Sequence, residues 1–351
     1  MINMTRITLV FTMVLSVLVI IGCTSESSLG EAEEQVEREE VSGEETKELN
    51  NDGVDEEADS ASNPEETQDI PDGFRVTAIG AGSPTTYNTK SWPATLVQYQ
   101  DKYFLVDCGG GCTNGIAKAG VRPSDIDNIL FSHHHADHNS DFLTILIAGW
   151  ATDSPRPKLN LVGTEGTKAV YDFAIDFYKE DIQYRIDAGF TTPQGIIDNV
   201  ELKEVEGGEQ FELDGVKIST IEVPHSIKTV AYKFEAGGKS VVITGDTEFS
   251  EDLIEFSKDT DLVVMDGMLT EVKEDDPSYS MFQKLKPNLS RAHMTLEEIG
   301  KTAAEGNYKQ MVLTHLFNGE MDKELTTEVL RKQGYEGEVI IAESLKAYEV
   351  D

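Results

Sequence analysis

The stretch Asn128-Ile129-Leu130-Phe131-Ser132-His133-His134-His135-Ala136-Asp137-His138 decides how the chain is read. Four of its seven histidines crowd into six residues, directly behind an apolar run with the look of a buried strand. Residues two apart in an extended segment face the same way, so His133 and His135 can reach one metal ion together. Asp137 and His138 open the next segment, read as a helix, and can reach a second ion beside the first. Imidazole and carboxylate at this density suit zinc, with manganese or iron as alternatives. His134 points away from its neighbours and is assigned no role.

The same setting recurs further along. His225 follows Thr220-Ile-Glu-Val-Pro224, Asp246 closes Val241-Val-Ile-Thr-Gly245, and His315 follows Gln310-Met-Val-Leu-Thr314. Side chains that leave the same end of neighbouring strands converge on one point. Alternation and apolar runs predict strands at 74–79, 94–99, 103–107, 128–131, 159–162, 216–223, 230–234, 241–244, 262–265, 310–314 and 339–341. Helical patterns fall at 142–149, 166–178, 295–304 and 323–332, and Thr295-Leu-Glu-Glu298 has the form of a capping box. Strands with interspersed helices predict sheets covered on their outer faces.

The charge is lopsided. The 351 residues carry a net −36; residues 24–72 hold 19 acids against 2 bases, and residues 73–351 hold 46 against 26. So acidic a surface repels polyphosphates. Ile7 to Ile21 is an uncharged apolar run of fifteen residues, the length of a signal-peptide core. It ends in Ile20-Ile21-Gly22-Cys23, which resembles the lipobox of bacterial lipoproteins. Residues 1–22 are therefore expected to be a signal peptide, Cys23 the lipidated residue, 23–72 a disordered acidic linker and 73–351 the working domain. The expected location is outside the cytoplasm, held to the bacterial cell membrane by lipid. Three cysteines make no disulfide framework; Cys108 and Cys112 either pair or stay small buried hydrophobes.

The series His133-x-His135-x-Asp137-His138, His225, Asp246, His315 resembles the metallo-β-lactamase superfamily over residues 74–351. The resemblance implies an α/β fold, a four-layer αββα sandwich with two zinc ions at one edge. It implies that His133, His135 and His225 hold the first metal and Asp137, His138 and His315 the second, with Asp246 bridging. Asp107, in Leu105-Val-Asp-Cys-Gly-Gly-Gly111, matches the family's structural aspartate, which orients the metal loop. Flavodiiron oxidoreductases have Glu where His135 stands, and the common antibiotic-destroying members have Cys where Asp246 stands. Neither activity is expected.

Arg291-Ala-His293-Met-Thr-Leu-Glu-Glu298, running on to Lys309-Gln-Met-Val-Leu-Thr-His315, is similar to the ribonuclease Z branch with its arylsulfatase and phosphodiesterase relatives. Ile147-Ala-Gly-Trp150 and Leu161-Val-Gly-Thr-Glu-Gly-Thr167 look most like the arylsulfatase type. The resemblance implies that His293 stabilises the transition state or protonates the leaving group, and the metal chemistry gives Asp137, beside the second ion, the role of accepting a hydrogen bond from the hydroxide and aiming it. Ribonuclease Z itself is disfavoured by export, by charge, and by the lack of a long basic arm between Val200 and His225. Leu262-Val-Val-Met-Asp-Gly-Met268 departs from the His-Glu usual in these relatives. The expected function is dinuclear zinc-dependent hydrolysis of sulfate or phosphate (di)esters by a metal-bridging hydroxide. Hydrolysis of carboxylic esters, lactones or thioesters, and a non-catalytic metal-loaded binding lipoprotein, are the competing readings. The partner expected is a small ester, with no nucleic acid, membrane contact through the lipid alone, and a homodimer left open. Trp150, Tyr279 and Phe282 are candidates to line a pocket, and 267–292 is read as a flap.

Overall fold

The computed structural model describes residues 73–86 and 90–350. The expected signal peptide, Cys23 and the acidic linker lie outside the described residues. In chain order the elements are β1 (Phe74–Gly80), β2 (Ala94–Tyr99), β3 (Lys102–Val106), α1 (Cys112–Lys118), β4 (Asn128–Leu130), α2 (Ala136–Asn139), α3 (Phe142–Ala148), β5 (Leu159–Gly163), α4 (Thr167–Asp187), β6 (Val200–Glu204), β7 (Gln210–Leu213), β8 (Val216–Val223), β9 (Thr229–Ala236), β10 (Lys239–Ile243), α5 (Glu251–Phe256), β11 (Leu262–Asp266), α6 (Tyr279–Leu289), α7 (Leu296–Glu305), β12 (Gln310–Thr314), α8 (Lys323–Lys332), β13 (Glu338–Ile341) and β14 (Lys346–Val350).

Two seven-stranded sheets result, in the orders β14-β1-β2-β3-β4-β5-β6 and β13-β12-β11-β10-β9-β8-β7. Between them lies a core drawn from both inner faces, with Phe74, Val97, Phe104 and Leu130 from one sheet against Tyr232, Phe234, Val241 and Val312 from the other. Burying each such side chain stabilises the fold by roughly 1.5–3 kcal/mol. A second cluster joins the outer face of the first sheet to α1, α3 and α4, and a third joins the second sheet to α5, α7 and α8. These are the four layers of the expected αββα sandwich. Among the described residues these three clusters form the core of one compact unit.

The differences from expectation sit at edges and ends. β6, β7 and β14 were not anticipated; β6 and β7 are edge strands with charged residues in place of an apolar run. α4 continues well past the expected stop at Tyr178. The supposed flap contains helix α6, with Pro287 in its last turn, where it forgoes one bond to the Gln283 carbonyl just before the helix ends. The capping box at Thr295 is present, its hydroxyl accepting from the Glu298 amide while the Glu298 carboxylate accepts from the Thr295 amide.

The strand directions bring the functional segments together. β3, β4 and β5 are mutually parallel, and so are β10, β11 and β12; β8 points the same way as β10 because both pair antiparallel to β9. Their C-terminal ends share one edge of the sandwich. There the backbone turns sharply through left-handed residues, Asp107 at φ 61°, Gly245 at φ 63° and His315 at φ 55°. For a non-glycine residue that conformation costs about 1–2 kcal/mol. The sheets are tied at this edge by the Leu316 amide donating to the Ala81 carbonyl at 2.8 Å. At the far end of β1, Phe74 stands opposite Val350 of β14.

Candidate metal centre

The loop between β4 and α2 is set by Asp107. One carboxylate oxygen accepts from the Ser132 amide at 2.8 Å; the other accepts from the Ser132 hydroxyl at 2.7 Å and from His138 Nδ1 at 2.8 Å. With its own proton given to Asp107, the Ser132 hydroxyl accepts from His133 Nδ1 at 3.0 Å. A single buried carboxylate, that of Asp107, thus orients two histidines and leaves the Nε2 of each facing inward.

The remaining histidines are oriented the same way. His225 Nδ1 donates to the Ala292 carbonyl at 2.9 Å, and His135 Nε2 lies 3.3 Å from the Ser226 hydroxyl. Three ring nitrogens then face one another: His135 Nδ1 is 3.1 Å from His133 Nε2 and 3.3 Å from His225 Nε2. Each ring spends its N–H on an outside partner, so these are lone pairs in close approach, an arrangement that a cation between them stabilises. His138 Nε2 is buried and has no hydrogen-bond partner. Such a donor set fits divalent metal. In each of two groups, His133, His135, His225 and Asp246, and Asp137, His138 and His315, the ligand atoms lie within 4.8 Å of one another. Asp246 offers one oxygen to each side: Oδ2 lies 3.9 Å from His133 and 3.8 Å from His225, while Oδ1 lies 3.4 Å from His138 and 3.2 Å from His315.

Electrostatics follow from this crowding. Burial, helped by the surrounding imidazoles, holds His133 well below the usual histidine range. Burial also opposes charge on His138 and His315, but Asp246 and other carboxylates outweigh it. His138 is raised well above its ordinary value and His315 is pushed up to about 10. Burial would raise Asp137, yet the hydrogen bond from His315 and the nearby imidazoles pull its carboxyl below the ordinary aspartate value. Metal binding at such a site displaces protons.

One participant was missed from sequence. Asp266, fully buried at the end of β11, accepts from His293 Nδ1 at 2.7 Å and from the amides of Thr247 and Met268, and lies 3.4 Å from His315 Nδ1. Burial alone would lower His293, but Asp266 outweighs it and raises its pKa. The His293 ring lies 5.5 Å from that of His225 and 5.4 Å from that of His315. The signal was available: Asp266 ends a strand between those that end in Asp246 and His315.

His134 does turn away from the centre. Its Nε2 donates to Thr167 at 3.0 Å and its Nδ1 accepts from Asn139 at 3.2 Å, fastening the loop to the start of α4. The three candidate pocket residues are a correction. Trp150 is fully buried with Ile182 and Ile196, its indole donating to the Thr192 carbonyl. Phe282 is fully buried against Phe317, and Tyr279 packs on that same cluster. Trp150, in the turn after α3, and Phe282, on α6, are thus packed inside the protein, while Tyr279 at the start of α6 is half-buried. Gly149, beside Trp150, leaves room for the buried Arg156 guanidinium, which caps the end of α3 at the Ile145 carbonyl. Cys108 and Cys112 are free thiols in the second core cluster, and no disulfide joins them.

Fold and donor set together define a metal-dependent hydrolase of the metallo-β-lactamase fold, a family that binds divalent metals. The chain belongs to the beta-lactamase superfamily, whose domain profile matches residues 102–316. Among curated relatives, Ribonuclease Z of Mycobacterium bovis is 31% identical over 249 residues, 69% of this chain and 85% of that one. Among solved structures, the metallo-beta-lactamase fold protein YhfI from Bacillus subtilis superposes with a TM-score of 0.59 at 21% identity, covering 79% of this chain and 99% of its own. The short form of human tRNase Z superposes at 0.57 and 17% identity, again over 79% and 99%. Relatives named for ribonuclease activity stand against the expectation that nucleic acid plays no part.

Proposed function

We propose that the protein is a dinuclear zinc phosphodiesterase acting on small diesters. The observation that carries this reading is the Asp266–His293 pair beside the two ligand groups. A centre that only stored metal has no use for a proton donor held at that spot. His133, His135 and His225 would hold one ion, Asp137, His138 and His315 the other, and Asp246 both. When bound, such ions lower the pKa of water and neutralise charge on phosphoryl oxygens.

The chain's own residues do the rest. Asp137, itself in the second group, accepts a hydrogen bond from the attacking water and aims it. Asp266 fixes the His293 tautomer with Nδ1–H turned outward, so that Nε2 faces the centre. Asp266, outweighing burial, raises the His293 pKa above the ordinary imidazole value, which favours a proton on Nε2 for the departing oxygen of the ester. Phosphorus is favoured over sulfur or an acyl carbon by the Ribonuclease Z relatives, which share about a third of the aligned residues.

A second reading, an RNA substrate, is favoured by the same relatives. Two features support the small diester instead. Residues 73–351 carry a net −20, and the chain from β6 to β10 is a run of strands joined by short turns with no projecting arm. The expected export and lipid anchoring at Cys23 belong to this proposal too, since a surface-held enzyme meets small extracellular esters more readily than precursor RNA.

The test is a panel of bis-p-nitrophenyl phosphate, p-nitrophenyl phosphate, p-nitrophenyl sulfate, p-nitrophenyl acetate and a 3′-extended transfer RNA. Diester turnover that disappears with chelator and returns with zinc is expected. Preference for the sulfate or acetate would overturn the phosphodiester assignment, and preference for the RNA would overturn the small-substrate one. Inactivity across the panel in fully metal-loaded protein would favour the binding role.

A further inference from the structure

We infer that Cys108 and Cys112 are a redox modification site, at which a disulfide oxidant closes a cross-link that latches the metal loop. They are the two cysteines among the described residues, and both are free. Either alone would be a small buried hydrophobe. Both side chains are fully buried, however, and the two thiols are hydrogen-bonded to each other at the two ends of one turn. Sulfurs already in contact can reach disulfide geometry without the backbone being pulled together from a distance. The turn between them is Gly109-Gly110-Gly111. The Cys112 amide closes it by donating to the Gly109 carbonyl at 3.0 Å, and Gly111 is exposed with a left-handed φ of 89°. The cover over the sulfurs is thus glycine backbone, a segment that opens locally at low cost.

The pair sits where a cross-link reaches the metal loop. Asp107, which orients His133 and His138, directly precedes Cys108. The Cys108 amide donates to the His138 carbonyl at 2.7 Å and its carbonyl accepts from the Asp141 amide at 3.0 Å, so this one residue brackets α2. The Asp141 carboxylate in turn accepts from the Thr113 amide at the start of α1, at 2.7 Å. A β-carbon on Gly109 would lie 2.0 Å from the Asp137 carbonyl, which shows how closely the turn is pressed against α2. The closed loop would hold only five residues. It constrains little of the unfolded chain, so its effect falls on local opening of the turn.

Burial, with the Cys112 thiol and the Asp141 and Asp107 carboxylates beside it, pushes the Cys108 thiol well above its ordinary value. Thiolate is therefore scarce while the turn is closed, and exchange proceeds through the opened turn or as the chain folds. One thiolate attacks a sulfur of a small disulfide such as oxidised glutathione, giving a mixed disulfide and releasing one thiol. The second cysteine attacks the mixed disulfide, forming the Cys108–Cys112 bond and releasing the other thiol. The two protons and two electrons lost by the protein are carried away by the oxidant.

The full chain, equilibrated in glutathione buffers of stepped oxidised-to-reduced ratio, then acid-quenched, alkylated and digested with trypsin, tests this. Both cysteines fall in one tryptic peptide, 103–118, which the cross-link lightens by two hydrogens and shields from alkylation. That product is expected in oxidising buffer and should revert with dithiothreitol. Amide exchange across 132–141 should be about tenfold slower in the oxidised form. Zinc release to a chelator should slow about tenfold as well. Cys108→Ala and Cys112→Ala should each make both rates indifferent to the buffer, and either variant suffices should the other misfold. Thiols that stay alkylatable at every ratio overturn the site, as does a stable glutathione adduct in place of the cross-link. Equal amide exchange in the two forms overturns the latch. The zinc measurement rests on the dinuclear reading above: a chain that takes up no zinc overturns that reading, while peptide mass and amide exchange still decide this one.

Discussion

The two sheets furnish the candidate metal centre in opposite styles. The first delivers His133, His135, Asp137 and His138 from one loop of six residues, held by one buried carboxylate, Asp107. The second delivers His225, Asp246, Asp266 and His315 from four separate strand ends, spread over ninety residues of chain. The first half-site is a local device whose geometry depends on one turn. The second is a property of sheet topology and exists only when β8, β10, β11 and β12 are all in register. Damage to the first should be graded and repairable; damage to the second should depend on whether the residue lost touches both ions.

Asp246 is the sharpest break. Asp246→Ala removes the one group shared between the two sets, so both metals and all turnover should be lost, as read by elemental analysis and diester hydrolysis. Full metal occupancy in that variant would sink the bridging assignment. Next comes His293→Ala, on the second sheet's side but outside both ligand sets. It should lower kcat by roughly 10²–10⁴-fold while metal content is unchanged. Lost metal in that variant would make His293 a ligand and not a proton donor. Asp107→Ala probes the first sheet's loop and should weaken metal binding by about 10–100-fold in chelator competition. Asp107→Asn should recover part of it, since asparagine tolerates the left-handed backbone there. Equal losses in the two variants would mean that only the charge matters. Thr295→Ala, on the helix that follows His293, should cost about 1 kcal/mol through its lost cap. Thermal denaturation should show a Tm lower by about 2–4 °C, with kcat intact.

The same contrast explains what could be read in advance. The contiguous motif was visible as a motif, and the strand-end histidines were visible because each follows an apolar run. Asp266 is harder to see because Leu262-Val-Val-Met-Asp266 carries no histidine and its carboxylate is marked only by its place at a strand end. The strands β6 and β7 were hidden because an edge strand spares only alternate residues for the core, and theirs are mixed with Glu and Lys. Helix α6 was hidden by Pro287, which reads as a breaker but falls where the helix is ending anyway. The aromatic candidates failed for a related reason: composition shows that a ring is apolar, but only the packing of Ile182 and Ile196 around Trp150 shows which surface it covers.

The pairing of Phe74 with Val350 has a consequence for the ordering of the chain. The folded unit begins and ends on adjacent strands, a β1-length away from the ligand-bearing edge. A short Gly/Ser linker can therefore join the two ends, and new termini opened in the turn at 206–209 would yield a circular permutant with every ligand in place.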